Sequence, residues 1–292
     1  MKAPDFAYHR PERLVDAIEL LGRLENAKLL AGGQSLMPML NMRYIIPDHL
    51  IDINRIAGLD EITISETDIR VGALARQRAI ERHAELRRRA PIFSEALAHV
   101  GHYQTRTRGT LGGSLCHLDP AAELVLLAAL HDAVLHVAGA GASRDIHIDT
   151  WPTGYMAPAL AADEVLTAVS FPLWRDPCGE AFLEFARRHG DFALAAAAAR
   201  VALADGRISR IAVALGGVAV APVRLRRAEA ALIGAAPDKA AADLLATEVE
   251  ALDVISDAQV SSDYRKSLAA TLVRRVFVMA AKRASEQSHV RN

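Results

Sequence analysis

The sequence predicts an α+β fold built from three consecutive parts. Up to residue 57, a helical pattern precedes a short apolar run, a Gly-Gly turn, a second helix and another short strand, the order of a small α/β unit. From residue 58 to 175, short alternating runs joined by tight turns predict an antiparallel sheet with helices. Three strand-like runs followed by helical patterns occupy the remainder. We therefore expect domains at 1–57, 58–175 and 176–292.

The first part begins with Pro11 at a helix start, followed by apolar residues at three- and four-residue spacing on one helical face. A short apolar run at 29–31 predicts a strand, which Gly32 and Gly33 end. A helix is expected over 35–43 and a second strand over 50–53. The elements thus place a glycine turn between a strand and a helix.

The middle part opens with a hairpin that turns at residues 66–68. Its other expected elements are helices at 78–89 and 91–102, a buried element at 124–130, and strands at 134–137, 146–148 and 165–171. The buried element is predicted because residues 124–130 are apolar on every side. Pro172 ends the last strand, since proline donates no hydrogen bond to a ladder.

The C-terminal part contains strand patterns at 182–187, 193–204 and 208–215, and Asp205-Gly206 predicts a hairpin turn between the last two. Helices are expected at 225–232, at 240–252 and from about Ser262. The last helix carries an apolar stripe, expected to pack in the core: Tyr264, Leu268, Leu272, Val276 and Met279.

Composition excludes several classes of protein. The 292 residues carry a formal net charge of −1, unlike the basic footprint of a nucleic-acid binder, and no apolar stretch is long enough to span a membrane. Only Cys116 and Cys178 are present, too few for the four thiolates of an iron–sulfur cluster. The N-terminus has no apolar signal-peptide region, so we expect a cytoplasmic location.

The segment Ala31-Gly32-Gly33-Gln34-Ser35 is the first candidate binding site. Paired glycines let a ligand approach backbone N–H groups closely, and the start of the following helix adds partial positive charge. These features suit a phosphate group. A plain glycine turn, with Ser35 only capping the helix, is the alternative.

The segment Gly109-Thr110-Leu111-Gly112-Gly113-Ser114 is the second candidate site, and Asp119 and Glu123 follow it. Two such loops facing each other across a cleft would hold a diphosphate between them. Glu123 would then accept a hydrogen bond from a ribityl or ribose hydroxyl. Alternatively, Glu123 is a solvent-exposed carboxylate at a helix start, where the helix dipole favours it.

Other nucleotide-binding and metal-binding motifs are absent from the sequence, or the segment that resembles one is better explained as a turn. The sequence contains no Gly-x-x-x-x-Gly-Lys and no His-Glu-x-x-His, and its eleven histidines show no ligand spacing. The run at 139–144 lacks the third glycine of a dinucleotide fingerprint and has no helix after it, so we expect a hairpin turn there. We assign no catalytic residue and no metal ligand to this chain.

The two glycine loops, with Asp119-Pro120-Ala121-Ala122-Glu123 behind the second, resemble the FAD-diphosphate loops of the medium subunits of molybdenum hydroxylases. This family includes xanthine dehydrogenase and aerobic carbon monoxide dehydrogenase. The run 187–195, Arg-Arg-His-Gly-Asp-Phe-Ala-Leu-Ala, resembles the family segment that reaches the isoalloxazine ring. Asp163-Glu164-Val165-Leu166 resembles the stretch near the adenine. The similarity covers the chain from Phe6 to the final helix, in family order.

The resemblance implies an FAD-binding fold of the vanillyl-alcohol-oxidase (PCMH) type, with two N-terminal α/β subdomains and a C-terminal three-stranded sheet plus helical bundle. FAD would lie between the first two parts. The implied cofactor-binding residues are Ala31, Gly32, Gly33, Gln34, Ser35, Leu36, Gly109, Thr110, Gly112, Gly113, Ser114, Asp119, Glu123, Val165, Leu166, Asp191 and Phe192.

The resemblance also implies partners. A large subunit would hold the molybdenum cofactor, a small iron–sulfur subunit would hold two [2Fe–2S] clusters, and this chain would pass electrons through FAD to an external acceptor. The absence of catalytic groups fits this division, because a flavin supplies the reaction and the protein binds and orients it. Two alternatives stay open: a stand-alone flavoprotein oxidoreductase of the same superfamily, and a non-redox scaffold that has lost FAD.

Three positions distinguish the chain within the family it resembles. Carbon monoxide dehydrogenase commonly has His where Gln34 stands and Tyr where Phe192 stands. The segment from Ser114 to Cys116-His117-Leu118 resembles the hydroxylases of N-heterocycles and other organic substrates more than the carbon monoxide enzymes.

Overall fold

Three main β-sheets organise the chain, in a computed structural model that describes residues 2–289. They contain three, five and four strands, and two further strands form a separate hairpin. The N-terminal and C-terminal sheets are built from strands close together in sequence, whereas the middle sheet pairs residues 68–72 with residues 168–172. No helix within the described residues is both long enough and apolar enough to cross a membrane.

The N-terminal sheet is parallel, with strand order β1-β3-β2. Its elements are β1 (Ala7–His9), α1 (Leu14–Arg23), β2 (Ala27–Leu30), α2 (Leu36–Asn41) and β3 (His49–Asp52). The sequence did not predict β1, a three-residue edge strand. The expected helix over 35–43 is shorter, because Arg43 takes a left-handed conformation with φ of 57°. The α/β order is confirmed.

The middle sheet is antiparallel, with strand order β4-β5-β10-β6-β7. Its strands are β4 (Ile62–Ile64), β5 (Asp68–Gly72), β6 (Val134–Ala138), β7 (Ser143–His147) and β10 (Val165–Pro172), and the separate hairpin is β8 (Pro152–Gly154) with β9 (Ala157–Pro158). The helices of this part are α3 (Gln77–Arg82), α4 (Ala84–Arg89), α5 (Ile92–Leu97), α6 (Tyr103–Arg108), α7 (Leu111–His117) and α8 (Glu123–Leu130).

Both long helices expected between β5 and the second glycine loop are broken. His83 divides the first, because its Nδ1 accepts a hydrogen bond from the amide of Leu86 at 3.3 Å and so caps α4. The second ends at Leu97, and the chain turns through Gly101 before α6 begins. These breaks bring α6 up to the second glycine loop.

The C-terminal sheet has strand order β11-β12-β13-β14 and is antiparallel. Its strands are β11 (Cys178–Phe185), β12 (Ala195–Ala204), β13 (Arg207–Gly216) and β14 (Val223–Arg224), and the helices are α9 (Arg226–Ala231), α10 (Lys239–Glu250) and α11 (Ser262–His289). The three predicted strands are confirmed, and the two-residue β14 adds a fourth. In α11, Leu272 and Val276 are buried as expected, whereas Tyr264 is exposed.

The middle and C-terminal parts share one hydrophobic core. Residues 124–130 of α8 are all buried, as predicted, and α8 packs on β12 and β13. Alanines on β12 alternate between two faces. Ala196 and Ala198 belong to the core around α8, whereas Ala195 and Ala197 belong to the core around α11.

A buried ion pair lies where these two parts meet. Arg200 Nε donates to Glu180 Oε1 at 3.0 Å, and both side chains are almost completely buried. The ring of His131 lies 3.8 Å from the same carboxylate. Burial, opposed by the charge of Arg200, raises the pKa of Glu180, and burial holds the pKa of His131 well below its usual range.

Candidate functional site

A cleft of about 400 Å³ opens at the ends of the N-terminal strands. The first glycine loop forms one wall, the residues just after β3 form the floor, and Arg108 stands opposite. Its lining residues are Leu30, Ala31, Gly32, Gly33, Gln34, Met37, Pro38, Asp52, Asn54 and Arg108. The cleft therefore joins the first glycine loop to the beginning of the second.

The first loop presents unbonded backbone donors. Within residues 2–289, the amides of Gly32, Gly33, Gln34 and Ser35 donate to no protein acceptor. Gly33 has φ of 73°, in the left-handed region that favours glycine. Ser35 precedes α2, and in the described part of the chain its side chain forms no capping hydrogen bond. Four amides and a hydroxyl suit an anionic ligand with several oxygens.

The two glycine loops are in direct contact. A Cβ atom on Gly32 would overlap the carbonyl oxygen of Arg108 and lie 2.9 Å from the Cα of Gly109. Only glycine permits this approach, so Gly32 is needed for loop contact. The sequence prediction that the loops face each other agrees with this arrangement.

The second loop differs from the first, because the protein itself satisfies its amides. Gly112 donates to the carbonyl of Ala73 at 2.8 Å, and Gly113 donates to Thr110 Oγ1 at 3.0 Å, which caps α7. A Cβ on Gly112 would lie 2.6 Å from the Cβ of Ala73, and Thr110 and Gly112 are buried. Close packing thus accounts for Gly112, whereas the hydroxyl of the partly buried Ser114 has no hydrogen-bond partner among the residues that the structure describes.

The two acidic residues after this loop have different surroundings. Asp119 Oδ1 accepts a hydrogen bond from the amide of Ala121 at 2.8 Å and so shapes the turn before α8. Glu123 is the first residue of α8 and is partly buried. Burial, reinforced by the negative charge of Glu184, raises the pKa of Glu123 to about 8. Glu123 is therefore not the solvent-exposed carboxylate of the alternative reading.

The remaining predicted residues fall into two groups. Val165 and Leu166 are buried in β10 and directly precede Thr167, whose carbonyl accepts a hydrogen bond from the amide of Ala73 at 2.9 Å. Asp191 and Phe192 lie in the loop between β11 and β12, where the side chain of Phe192 is 72% exposed. A Cβ on Gly190 would lie 2.9 Å from His102 Cε1, so this loop touches the turn that leads to α6.

Sequence reasoning missed the polar residues behind the cleft. Asn54 Nδ2 donates to the carbonyl of Ala31 at 2.9 Å, and Arg76 Nη1 donates to the carbonyl of Arg108 at 2.6 Å. Asp52 accepts hydrogen bonds from Asn54 and from the hydroxyl of Tyr8. No motif joins these residues in sequence. The only signal was that Asn54 directly follows a predicted strand.

Two other polar clusters lie outside the cleft. Asp145, His136 and Ser170 form a hydrogen-bonded row across three strands, with distances of 2.7 and 2.9 Å, a constellation that the sequence did not reveal. The row lies on the face of a regular sheet, and Asp145 is largely exposed, so we interpret it as a cross-strand ladder. Asp132 and Asp149 approach His147 closely, but Arg226 bonds to both carboxylates.

Family comparisons decide the identity of the fold. Residues 4–174 match the FAD-binding domain in molybdopterin dehydrogenase, and residues 180–280 match the carbon monoxide dehydrogenase flavoprotein C-terminal domain. The chain belongs to the FAD-binding medium subunits of the molybdenum hydroxylases. These subunits are components of oxidoreductases, and the predicted FAD cofactor is confirmed at the level of the family.

Relatives of this medium-subunit family align along nearly the whole chain. The nicotine 6-hydroxylase medium subunit of Paenarthrobacter nicotinovorans is 37% identical over 97% of this chain and all of the relative. The caffeine dehydrogenase subunit beta of Pseudomonas sp. (strain CBB1) is 34% identical over 97% of each chain. The carbon monoxide dehydrogenase medium chain of Afipia carboxidovorans is 32% identical, over 96% of this chain and 98% of the relative.

Solved structures of the family confirm the fold. Carbon monoxide dehydrogenase from Hydrogenophaga pseudoflava superposes with a TM-score of 0.94 at 33% identity, covering 97% of this chain and 99% of that one. Quinoline 2-oxidoreductase from Pseudomonas putida 86 gives 0.93 at 36% identity, with the same coverage. The predicted α+β, PCMH-type fold of a medium subunit is therefore correct.

Proposed function

We propose that the chain is the electron-transfer FAD subunit of a heterotrimeric molybdenum hydroxylase. It takes electrons from the [2Fe–2S] clusters of a small partner subunit and passes them to an external acceptor. A large partner subunit holds the molybdenum cofactor and performs the substrate chemistry. The observation that carries this proposal is the set of unbonded amides from Gly32 to Ser35, in contact with the second glycine loop.

The residues fit an FAD diphosphate in the cleft. The amides of Gly32, Gly33, Gln34 and Ser35 would bind its oxygens, because backbone N–H groups converging on one point favour an anion. A side chain on Gly32 could not be accommodated beside Arg108. Leu36 begins α2 immediately behind these donors. The first loop therefore supplies the donors, and the second loop supplies a fixed wall.

The other predicted residues would orient the rest of the cofactor. Ser114 would contribute a hydroxyl, and Glu123 would bond to a ribityl hydroxyl as a protonated or shared-proton carboxyl, given its raised pKa. The exposed ring of Phe192 would cover one face of the isoalloxazine, with Asp191 beside it. Val165 and Leu166 would line the adenine end through their backbone. Bound FAD supplies the redox chemistry, and the chain binds and orients it.

The test is to purify the full chain alone and with its co-expressed partners. The expected result is a flavin absorption spectrum near stoichiometric occupancy, release of FAD on denaturation identified by mass spectrometry, and flavin reduction by substrate only when the partners are present. Flavin reduction by an organic substrate without partners would favour a stand-alone oxidoreductase. A chain that takes up no added FAD would leave the scaffold alternative. The domain limits at residues 57 and 175, and the cytoplasmic location, stay predictions.

A further inference from the structure

Arg76 connects the two walls of the cleft. It precedes α3, and its guanidinium forks between two oxygens: Nη1 donates to the backbone carbonyl of Arg108, and Nη2 donates to Oδ1 of Asn54, both at 2.6 Å. A planar fork holds two acceptors in a fixed relation better than a single ammonium does. One acceptor is the residue that abuts Gly32, so Arg76 supports the contact between the loops.

Asn54 completes the connection to the first loop. Its Nδ2 donates to the carbonyl of Ala31 at 2.9 Å and to that of Leu30 at 3.3 Å. The Oδ1 of Asp52 accepts from both the backbone amide and the side chain of Asn54, at 2.9 and 2.6 Å. The side-chain amide is therefore held in one orientation, with its nitrogen toward the first loop and its oxygen toward Arg76.

The charge of Arg76 is not neutralised by a direct ion pair. Both of its acceptors are uncharged oxygens, and within the described part of the chain no carboxylate forms a salt bridge with it. Burial and the positive charge of neighbouring Arg108 lower the pKa of Arg76 more than the carboxylates of Asp60 and Asp52 raise it, although an arginine stays protonated at neutral pH. An anion at the unbonded amides of the first loop would relieve this repulsion.

We propose that Asn54 and Arg76 form a bridge that holds the two glycine loops in register for a diphosphate, and that Arg76 supplies a positive charge to balance it. Both act as positioning residues through the loop carbonyls. This inference rests on the proposed function, because it assumes that FAD occupies the cleft. It assigns a role to two residues outside the glycine motifs.

The first experiment titrates the cofactor-free full chain with FAD, ADP and riboflavin. Arg76→Met should weaken FAD binding about 30-fold, because hydrogen bonds to a charged group are lost together with the charge. ADP binding should weaken similarly. Riboflavin, which has no phosphate, should change by less than about threefold. The matched control is Arg82→Met, an exposed arginine at the end of the same helix, which should bind FAD as the wild type does.

Conservative variants distinguish the contribution of the positive charge of Arg76 from that of its hydrogen bonds to Asn54 and Arg108. Arg76→Lys keeps the charge but loses the fork, so its loss of FAD affinity should be about three- to tenfold, between the wild type and Arg76→Met. Asn54→Asp should weaken FAD and ADP binding about tenfold or more, because it removes the donors to Ala31 and Leu30 and pairs the charge of Arg76. These variants keep the test valid if Arg76→Met does not fold.

Three results would overturn the bridge. These are unchanged FAD affinity in Arg76→Met, equal losses for riboflavin and FAD, and unchanged affinity in both Arg76→Lys and Asn54→Asp. A wild-type chain that binds no flavin would instead overturn the proposed function, and the inference with it. The wild-type titration therefore distinguishes the two failures.

Discussion

Gly32 lies so close to the backbone of Arg108 that a methyl group on it would overlap the carbonyl oxygen. Arg108 immediately precedes the second glycine loop, so this contact brings together two segments about 75 residues apart in sequence. The obstruction is backbone, which cannot move aside as a side-chain end does. Adding one methyl group at Gly32 would therefore disrupt the contact between the two loops.

Gly32→Ala should therefore force the two loops apart. We expect a loss of stability of about 1–3 kcal/mol from overpacking, together with loss of FAD retention. Urea denaturation and the flavin spectrum of the purified chain measure the two effects. Gly22→Ala is the control, because Gly22 lies within α1 with nothing within 4 Å of its Cβ position. That variant should keep its FAD; retained FAD in Gly32→Ala would refute the loop contact.

Gly33→Ala tests the left-handed turn at the cleft. The residue has φ of 73°, and a Cβ would lie 3.3 Å from both Leu30 Cδ1 and Met37 Cγ. Gly58 has φ of 80° with open space around it, so Gly58→Ala carries the same backbone strain of roughly 1 kcal/mol without touching the cleft. Both variants should lose similar stability, but only Gly33→Ala should bind FAD more weakly. Equal FAD titrations for both would contradict the assignment of the first loop.

Phe192→Ala should affect the cofactor and leave the protein fold intact. Because the ring is 72% exposed, its removal should change the free energy of unfolding of the cofactor-free chain by less than about 0.5 kcal/mol. FAD should bind more weakly, with less quenching of its fluorescence, if the ring covers the isoalloxazine. Tyr155→Ala, also at an exposed aromatic residue, is the control and should do neither. Unchanged FAD affinity and quenching in Phe192→Ala would remove the ring from the site.

Glu123 should make the stability of the cofactor-free chain depend on pH. Its pKa rises from an ordinary value of 4.5 to about 8 in the folded protein, so the folded state binds the extra proton between these values. The stabilisation from this proton is complete below pH 4.5 and is lost as the pH rises toward 8. Between pH 5 and 8 the wild type should lose on the order of 3 kcal/mol more than Glu123→Gln. Parallel urea-denaturation profiles for the two chains would contradict the buried carboxyl.

Arg200→Met should be strongly destabilising, because it leaves Glu180 buried without its cation. We expect a loss of about 3–5 kcal/mol in urea denaturation. The double variant Arg200→Met with Glu180→Gln should recover much of that loss. Arg207→Met on β13, where the side chain is exposed, should stay within about 0.5 kcal/mol of the wild type. A double variant no more stable than Arg200→Met would show that packing, not charge, dominates.

The sequence predicted elements that carry a periodic apolar pattern. The wholly apolar α8 and the long strands of the C-terminal sheet appear where expected. The pattern missed β1, because a three-residue edge strand is too short to show alternation. It also missed the break at His83, where neither glycine nor proline marks the helix start and the ring nitrogen caps α4 instead.

In the candidate site, too, the sequence predicted residues that are consecutive in the chain and missed residues that only folding brings together. The glycine loops were visible because their residues are consecutive. Asn54 and Arg76 were not, since they lie 22 residues apart in sequence and their side chains meet only in the folded chain. Gly112 was expected to contact the cofactor, but its burial and its nearness to Ala73 could be known only from tertiary packing. Its assignment as a cofactor contact stays a prediction.

The alternating alanines of β12 determine how closely the middle part of the chain packs against the C-terminal helices. Methyl groups on one face meet α8, and those on the other meet the core of α11, so the sheet acts as a thin spacer between two helical layers. A larger side chain at Ala197 or Ala198, both fully buried, would overpack one of these layers at a cost of about 1–3 kcal/mol. Ala198 belongs to the core around α8 and Ala197 to the core around α11, so the two faces of one strand join the packing of the middle part to that of the C-terminal helices.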